Sequence, residues 1–135
     1  MRITILAHGK GGDGEEQALA RKYLKRLPVP AELVEVKAFA PARPGQVTVV
    51  LDEGGQSLSS AQLAAQLRAW RDSGVREARF LIGPADGHDA QTLAQADLVL
   101  AFGPATWPHL LVRAMLAEQL FRAFSILSGH PYHRA

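Results

Sequence analysis

The chain has no cysteine among its 135 residues. That excludes a disulfide framework, a thiolate zinc site and a cysteine nucleophile. No apolar run approaches the ~20 residues that span a membrane. The opening "MRITILAHGK" leaves too little before His8 for the apolar core of a secretory signal, so a cytoplasmic protein is the default expectation. Blocks of Lys and Arg are missing, which argues against a general nucleic-acid arm. Internal repeats and low-complexity tracts do not occur. What is left has the length of one ordinary domain, residues 1–135. Its 47% hydrophobic content is enough for a core that needs no staples.

Excess charge is also scarce, and it is unevenly placed. Of fifteen Lys/Arg and thirteen Asp/Glu, all but Arg113, Arg122, Arg134 and Glu118 fall in residues 1–100, which are therefore balanced. The formal net charge of +2 sits wholly in the last segment, together with His109, His130 and His133. A modest basic site of this kind suits a phosphate-bearing partner.

The apolar patterning predicts strands over 2–9, 31–39, 46–53 and 97–102, a strand running into a Gly/Pro turn over 77–87, and helices over 14–27, 59–74, 88–96 and 108–129. In the first helix Ala18, Leu19, Tyr23, Leu24 and Leu27 fall on one side, with acids opening it and bases closing it. In the last, Leu110, Ala114, Ala117, Phe121 and Phe124 make the expected core stripe, and Gly129 is its stop. Continuous apolar strands alternating with helices predict an α/β fold, a mainly parallel sheet with helices on both faces. The connection 40–46 is too short for a helical crossover between adjacent parallel strands. The strands on either side of it are therefore expected to pair with different neighbours.

Several turns are candidate sites. "HGKGGDGEE" (8–16) is a glycine-rich turn before a helix and could cradle phosphate. It lacks the ending of a P-loop and the spacing of GxGxxG, and its acids repel an anion, so a plain surface turn is the competing reading. "DGHD" (86–89) offers Asp86, His88 and Asp89, but nothing nearby completes a metal set. A turn with a side-chain cap on the next helix is the better reading, and no metal is expected. "VLDEGG" (50–55), "LIGPADG" (81–87) and "LAFGPATWPH" (100–109) all close strands at the rim where open α/β sheets bind ligands. They supply backbone groups and apolar walls with no Lys or Arg. That suits an uncharged or cationic ligand better than a triphosphate.

In the last helix Glu118 precedes Arg122 by four residues, an ion pair in the favourable direction. Leu111 and Met115 extend its apolar surface to a second side, as a two-fold dimer would need. The chain then closes with "HPYHR" (130–134). Two imidazoles that exchange protons near neutral pH, a stacking ring and a guanidinium are more than a frayed end requires.

"LDEGGQSLSSAQLA" (51–64), "FLIGPADG" (80–87) and "GPATWPHLLVRAMLAEQLFRAFSILSGHPYHR" (103–134) together resemble the small bacterial SPOUT methyltransferases that act on 23S ribosomal RNA. The resemblance is strong over about residues 47–134 and looser before them. It implies a C-terminal trefoil knot, an obligate homodimer, S-adenosylmethionine as cofactor, and methylation of a pseudouridine at N3 in the large subunit. The family's cofactor positions correspond to Leu51, Gly83, Phe102, Gly103, Pro104, Ala105, Thr106 and Trp107. Its active-site tail corresponds to Tyr132, His133 and Arg134, and Arg122 matches an arginine near the substrate. By type and location His133 is the candidate base or proton relay, while Arg122 and Arg134 would hold phosphate. The pattern departs from the family at Pro84, where a glycine is usual, at Gly103, where a serine is usual, and at the short 40–46 connection. Two other readings accompany this one: a non-catalytic flavodoxin-like nucleotide module using residues 8–16, and a ribosome-binding SPOUT protein that has lost turnover.

Overall fold

The computed structural model describes residues 1–134. Its elements in chain order are β1 (Arg2–His8), α1 (Glu15–Lys25), β2 (Ala31–Val36), β3 (Gln46–Ser57), α2 (Ser60–Asp72), β4 (Glu77–Ile82), α3 (Ala90–Ala94), β5 (Leu98–Ala101) and α4 (His109–Ser128). The five strands form one parallel sheet in the order β2-β1-β4-β3-β5. The strands flanking the short connection are thus not neighbours, as expected.

Strand alternation sends successive side chains to opposite faces of the sheet. One face carries Ile5, Phe80 and Val49, which are in register across β1, β4 and β3 and fully buried. Helices α1, α2 and α4 cover it, with α4 packed against both of the others. Fully burying each such side chain contributes about 1.5–3 kcal/mol. The local starts and stops are legible: Ser59 and Gln62 make a reciprocal capping box on α2, and Gly129 ends α4 in the left-handed region at φ 74°.

The opposite face is mixed: Leu6, Leu81 and Val50 stand in register toward its strand C-termini, and polar groups stand before them. Thr4, Arg79 and Thr48 lie in register there, and all three are buried. Arg79 donates to the Ala40 carbonyl and to Thr48 Oγ1, each at 2.8 Å. Thr4 and Gln46 both donate to Glu77. This network fastens residues 37–45, which cross the face without helix from the end of β2 to the start of β3. Nine extended residues span about 30 Å. That covers three strand spacings of about 4.8 Å together with one strand length of about 20 Å. Short α3 lies on the same face, where Thr92 and Gln95 share a small cavity with Phe39 and Arg79. Helices therefore lie on both faces, but unequally. Connections that move toward β2 cross the helical face and those that move toward β5 cross the other, so all the crossovers share one hand.

Two expected stripes are partly rotated. The buried side of α4 is Arg113, Ala114, Leu116, Ala117, Leu120, Ala123, Phe124 and Ser125, so Ala114, Ala117 and Phe124 are inside as expected while Leu110 and Phe121 are only partly covered. Apolar residues nearly all around the helix leave the pattern without a clear phase, and contact with two helices widens the buried arc. In α1 the buried side is Gln17, Ala20 and Leu24, and Leu19 is 41% exposed. Gln17 is inside because its side chain accepts from buried Arg113.

Candidate functional site

The C-terminal ends of β3, β4 and β5 enclose a cavity of about 290 Å³. Three turns build it. After Leu51 the chain makes an excursion, and both Leu51 and Gln56 stand opposite Leu100 of β5. This excursion carries Asp52 and Glu53 to the cavity wall. The second turn, 83–88, adds Gly83, Pro84 and His88. The third adds Phe102, Ala105, Thr106 and Trp107. Trp107 Nε1 donates to the Phe102 carbonyl at 3.0 Å, and Thr106 donates to Glu53, so the third turn is tied to itself and to the first.

Leu51, Gly83, Phe102, Ala105, Thr106 and Trp107 therefore line one space. Gly103 and Pro104, expected beside them, do not line it. Gly103 takes φ 84°, and this pair makes the bend that returns the chain to the wall at Ala105. A serine there would sit in a strained left-handed conformation, which accounts for the glycine.

The unforeseen wall residue is His88. Its ring lies against Gly83 so closely that a Cβ at position 83 would stand 2.9 Å from it. Phe39 packs on it with ring centroids 5.6 Å apart. Both ring nitrogens are buried without a hydrogen-bond partner. Burial pushes the imidazole below its ordinary pKa, against the opposing pull of the nearby Leu51 carbonyl and Asp52. Asp89, not His88, caps α3, accepting from Thr92 N at 2.8 Å. Carboxylates at 52, 53 and 86 stand at the wall with no Lys or Arg, so the cavity favours a cationic ligand.

The tail is elsewhere. Tyr132 packs edge-on against Phe121, centroids 4.6 Å apart, and the Arg122 guanidinium covers its ring at 4.8 Å. The Tyr132 hydroxyl donates to Glu118 at 2.8 Å and lies 3.4 Å from Tyr23. Burial first, then the bonds to Tyr23 and Glu118, raise its pKa. Glu118 also receives Arg122, with Nη2 at 2.9 Å, and this bond raises the guanidinium's pKa. Arg122 Nη1 is 3.3 Å from His133 Nδ1. A guanidinium can only donate, so Nδ1 accepts and the neutral ring carries its proton on Nε2. Arg134 is exposed beyond this cluster. From Val112 at the cavity to Arg122 is ten residues of α4, about 15 Å. One protomer thus holds the two sets of expected site residues apart. Sequence reasoning had Glu118 as Arg122's partner but missed Tyr23, whose spacing on α1 could have suggested contact with α4.

The glycine-rich turn 8–16 cradles a side chain, not an anion. Arg113 of α4, 1% exposed, pairs with Glu35 at 2.6 Å and donates to Gly9's carbonyl at 3.2 Å. Gly11 N–H also donates to Glu35. A Cβ on Gly11 would stand 2.5 Å from Arg113 Nη1. Glu35's pKa is lowered, chiefly by the Arg113 bond. The space a phosphate would need is filled, which removes the basis of the flavodoxin-like reading.

The family model described as predicted SPOUT methyltransferase matches residues 1–133, and the chain belongs to that family. Among particular proteins, it is 54% identical to the ribosomal RNA large subunit methyltransferase H of Erythrobacter litoralis, over all of this chain and 99% of that one. It is 53% identical to the protein of the same name from Rhizorhabdus wittichii, over 99% of each. A solved structure, a probable methylase family protein from Haemophilus influenzae, superposes with a TM-score of 0.62 over 99% of this chain and 70% of that one. At 12% identity that likeness concerns the fold alone.

Proposed function

We propose that this enzyme methylates N3 of a pseudouridine in 23S ribosomal RNA, with S-adenosylmethionine as donor, and that it works as a homodimer on the large ribosomal subunit. The observation that carries the reading is the cavity at the strand ends, with backbone turns, an apolar floor and carboxylates at its wall. Those features fit a positively charged sulfonium nucleoside. When bound, S-adenosylmethionine supplies an electrophilic methyl carbon. Leu51 and Trp107 would wall the nucleoside, backbone groups at Gly83 and Phe102 would bind it, and Asp52 or Glu53 would face positive charge. Holding donor and acceptor in one geometry supplies much of the rate.

On the RNA side, the N3 imide has to lose its proton. His133 is the base in this reading, and Arg134 and Arg122 hold phosphate. The contact of Nδ1 with Arg122 occupies the acceptor nitrogen of the neutral ring, so proton uptake there requires the tail to leave that contact. The 15 Å separation supports the same conclusion: the tail of one protomer completes the cavity of its partner. The half-covered Leu111 and Met115 on α4 supply the two-fold contact. The trefoil knot belongs to this reading, with the excursion of β3 wrapped on β5 as the part of the fold nearest to it.

Titration with S-adenosylhomocysteine tests the cavity, and sedimentation at micromolar concentration tests the dimer, which should have twice 14.6 kDa. Mass analysis of 23S ribosomal RNA after incubation tests the product. Binding without any methylated product would favour a family member that has lost turnover.

A further inference from the structure

Three residues of α1, Leu19, Lys22 and Tyr23, and its C-cap Arg26 are spaced i, i+3, i+4 and i+7 along one stripe that its core side leaves outside. Leu19, Lys22 and Arg26 are exposed, and Tyr23 is half-buried. Neither cation forms an ion pair among the described residues. The acids of α1, Glu15 and Glu16, are confined to its first turn, so the far half of the helix is basic on this side.

This stripe continues into the tail. The Arg26 guanidinium lies 5.9 Å from the ring centres of both Tyr23 and Phe121. The same two rings pack against Tyr132, which Arg122 covers on its other approach. A cluster of three rings, Tyr23, Phe121 and Tyr132, is thus flanked by Arg26 on one side and Arg122 on the other, with Lys22 exposed beside Tyr23 on the helix. The carboxylate within the cluster, Glu118, is taken up by Arg122 and the Tyr132 hydroxyl. Contact with two rings fixes the Arg26 head group, at little cost in its solvation. Rings flanked by cations match a single-stranded or unstacked RNA segment, whose bases stack and whose phosphates need neutralising. A protein partner would have to cover Lys22, a residue type depleted at protein interfaces.

We propose that Lys22 and Arg26 bind backbone phosphates of the RNA strand that reaches the tail, so that α1 is a second RNA-contact element beside residues 130–134. The proposal rests on the reading of the tail as the RNA-facing part of the site. It extends that reading to a helix outside the cavity and the tail.

The test is the doubly substituted chain Lys22→Ala/Arg26→Ala, with Arg68→Ala/Arg71→Ala on α2 as a control of equal charge loss. Affinity for a 23S ribosomal RNA fragment is measured between 50 and 200 mM salt, alongside S-adenosylhomocysteine affinity and sedimentation. The α1 variant should bind RNA about tenfold more weakly. The salt slope should be smaller by about 1.5, from two lost phosphate contacts. Its cofactor affinity and mass should not change, and the α2 control should bind RNA as the unmodified protein does. Equal weakening by both variants would overturn the proposal in favour of a net-charge effect. A changed oligomer with an unchanged salt slope would overturn it in favour of a protein interface. If the unmodified protein binds no ribosomal RNA at any salt, the functional reading itself fails, and this proposal with it.

Discussion

The two ends of α4 are built from different chemistry. At its first turn, His109 and Val112 face a cavity of backbone turns, small residues and carboxylates. From its midpoint onward, Glu118, Phe121 and Arg122 hold a cluster of rings, cations and one shared carboxylate against Tyr132. The first end can enclose a compact cationic nucleoside but has no group to grip phosphate. In the proposed reading the second grips phosphate and stacks a base, and it encloses nothing. A methyl donor and an RNA acceptor need one of each, and a single protomer keeps them apart.

Deleting residues 130–135 should give the largest effect and should strike one end only. Methylation should fall below detection, while S-adenosylhomocysteine affinity stays within about tenfold, or ~1.4 kcal/mol. Loss of cofactor affinity instead would mean that the two ends are not separate functions. His133→Ala should be next, lowering the single-turnover rate by ~10²–10⁴ if the ring is a general base, again with cofactor binding intact.

The opposite end is loosened by Glu35→Gln. This change removes the charge that faces Arg113, one residue from the cavity wall. Orphaning a fully buried ion costs about 3–5 kcal/mol. Glu35 is 31% exposed, so denaturant unfolding should show a loss of about 2 kcal/mol. Cofactor affinity should weaken more than RNA affinity, and equal weakening would blur the distinction.

The smallest effect is a pH dependence of stability from His88. Its folded pKa lies below the ordinary 6.5. As pH falls below 6.5 the unfolded chain therefore takes up a proton that the folded chain refuses, and stability declines. Replacing His88 by Phe should flatten this decline without altering the steeper loss at lower pH. That lower loss comes from Glu35, Glu77 and Asp89, whose folded pKa values are also lowered. These groups contribute fully above the ordinary carboxylate range and lose that contribution as pH falls through their folded values. An unchanged curve between pH 6.5 and 5 would show that His88 is hydrated, not buried.

Much of this architecture is legible in the sequence because buried parallel strands are apolar throughout and their turns are rich in Gly and Pro. Residues 46–51 and 77–82 could hardly be anything else. Less legible is whatever depends on a distant partner. Arg113 has the look of a surface charge until the glycine-rich turn closes around it. Glu35 reads as the outward side of an alternating strand. The crossing at 37–45 has no periodicity of its own, since buried Arg79 fixes it through the Ala40 carbonyl. His88 resembles a helix cap because the real cap, Asp89, is next to it. The rim turns reveal the cavity through composition alone. The tail's residue types hint at RNA, but its docking on Tyr23 and Glu118 is a matter of packing.

The central claim is that one protomer's tail serves its partner's cavity, and mixing two inactive chains tests it most directly. One lacks residues 130–135. The other carries Gly83→Val, which crowds His88 and blocks the cavity. Each should be inactive alone and dimeric by sedimentation. After unfolding and refolding together in equal amounts, half of the dimers are mixed, and each mixed dimer holds one intact cavity facing one intact tail. Activity should return to about one quarter of the unmodified level, as two-fold symmetry requires. No return of activity, with mixed dimers demonstrably present, would contradict the account and place cavity and tail of the same chain in one site.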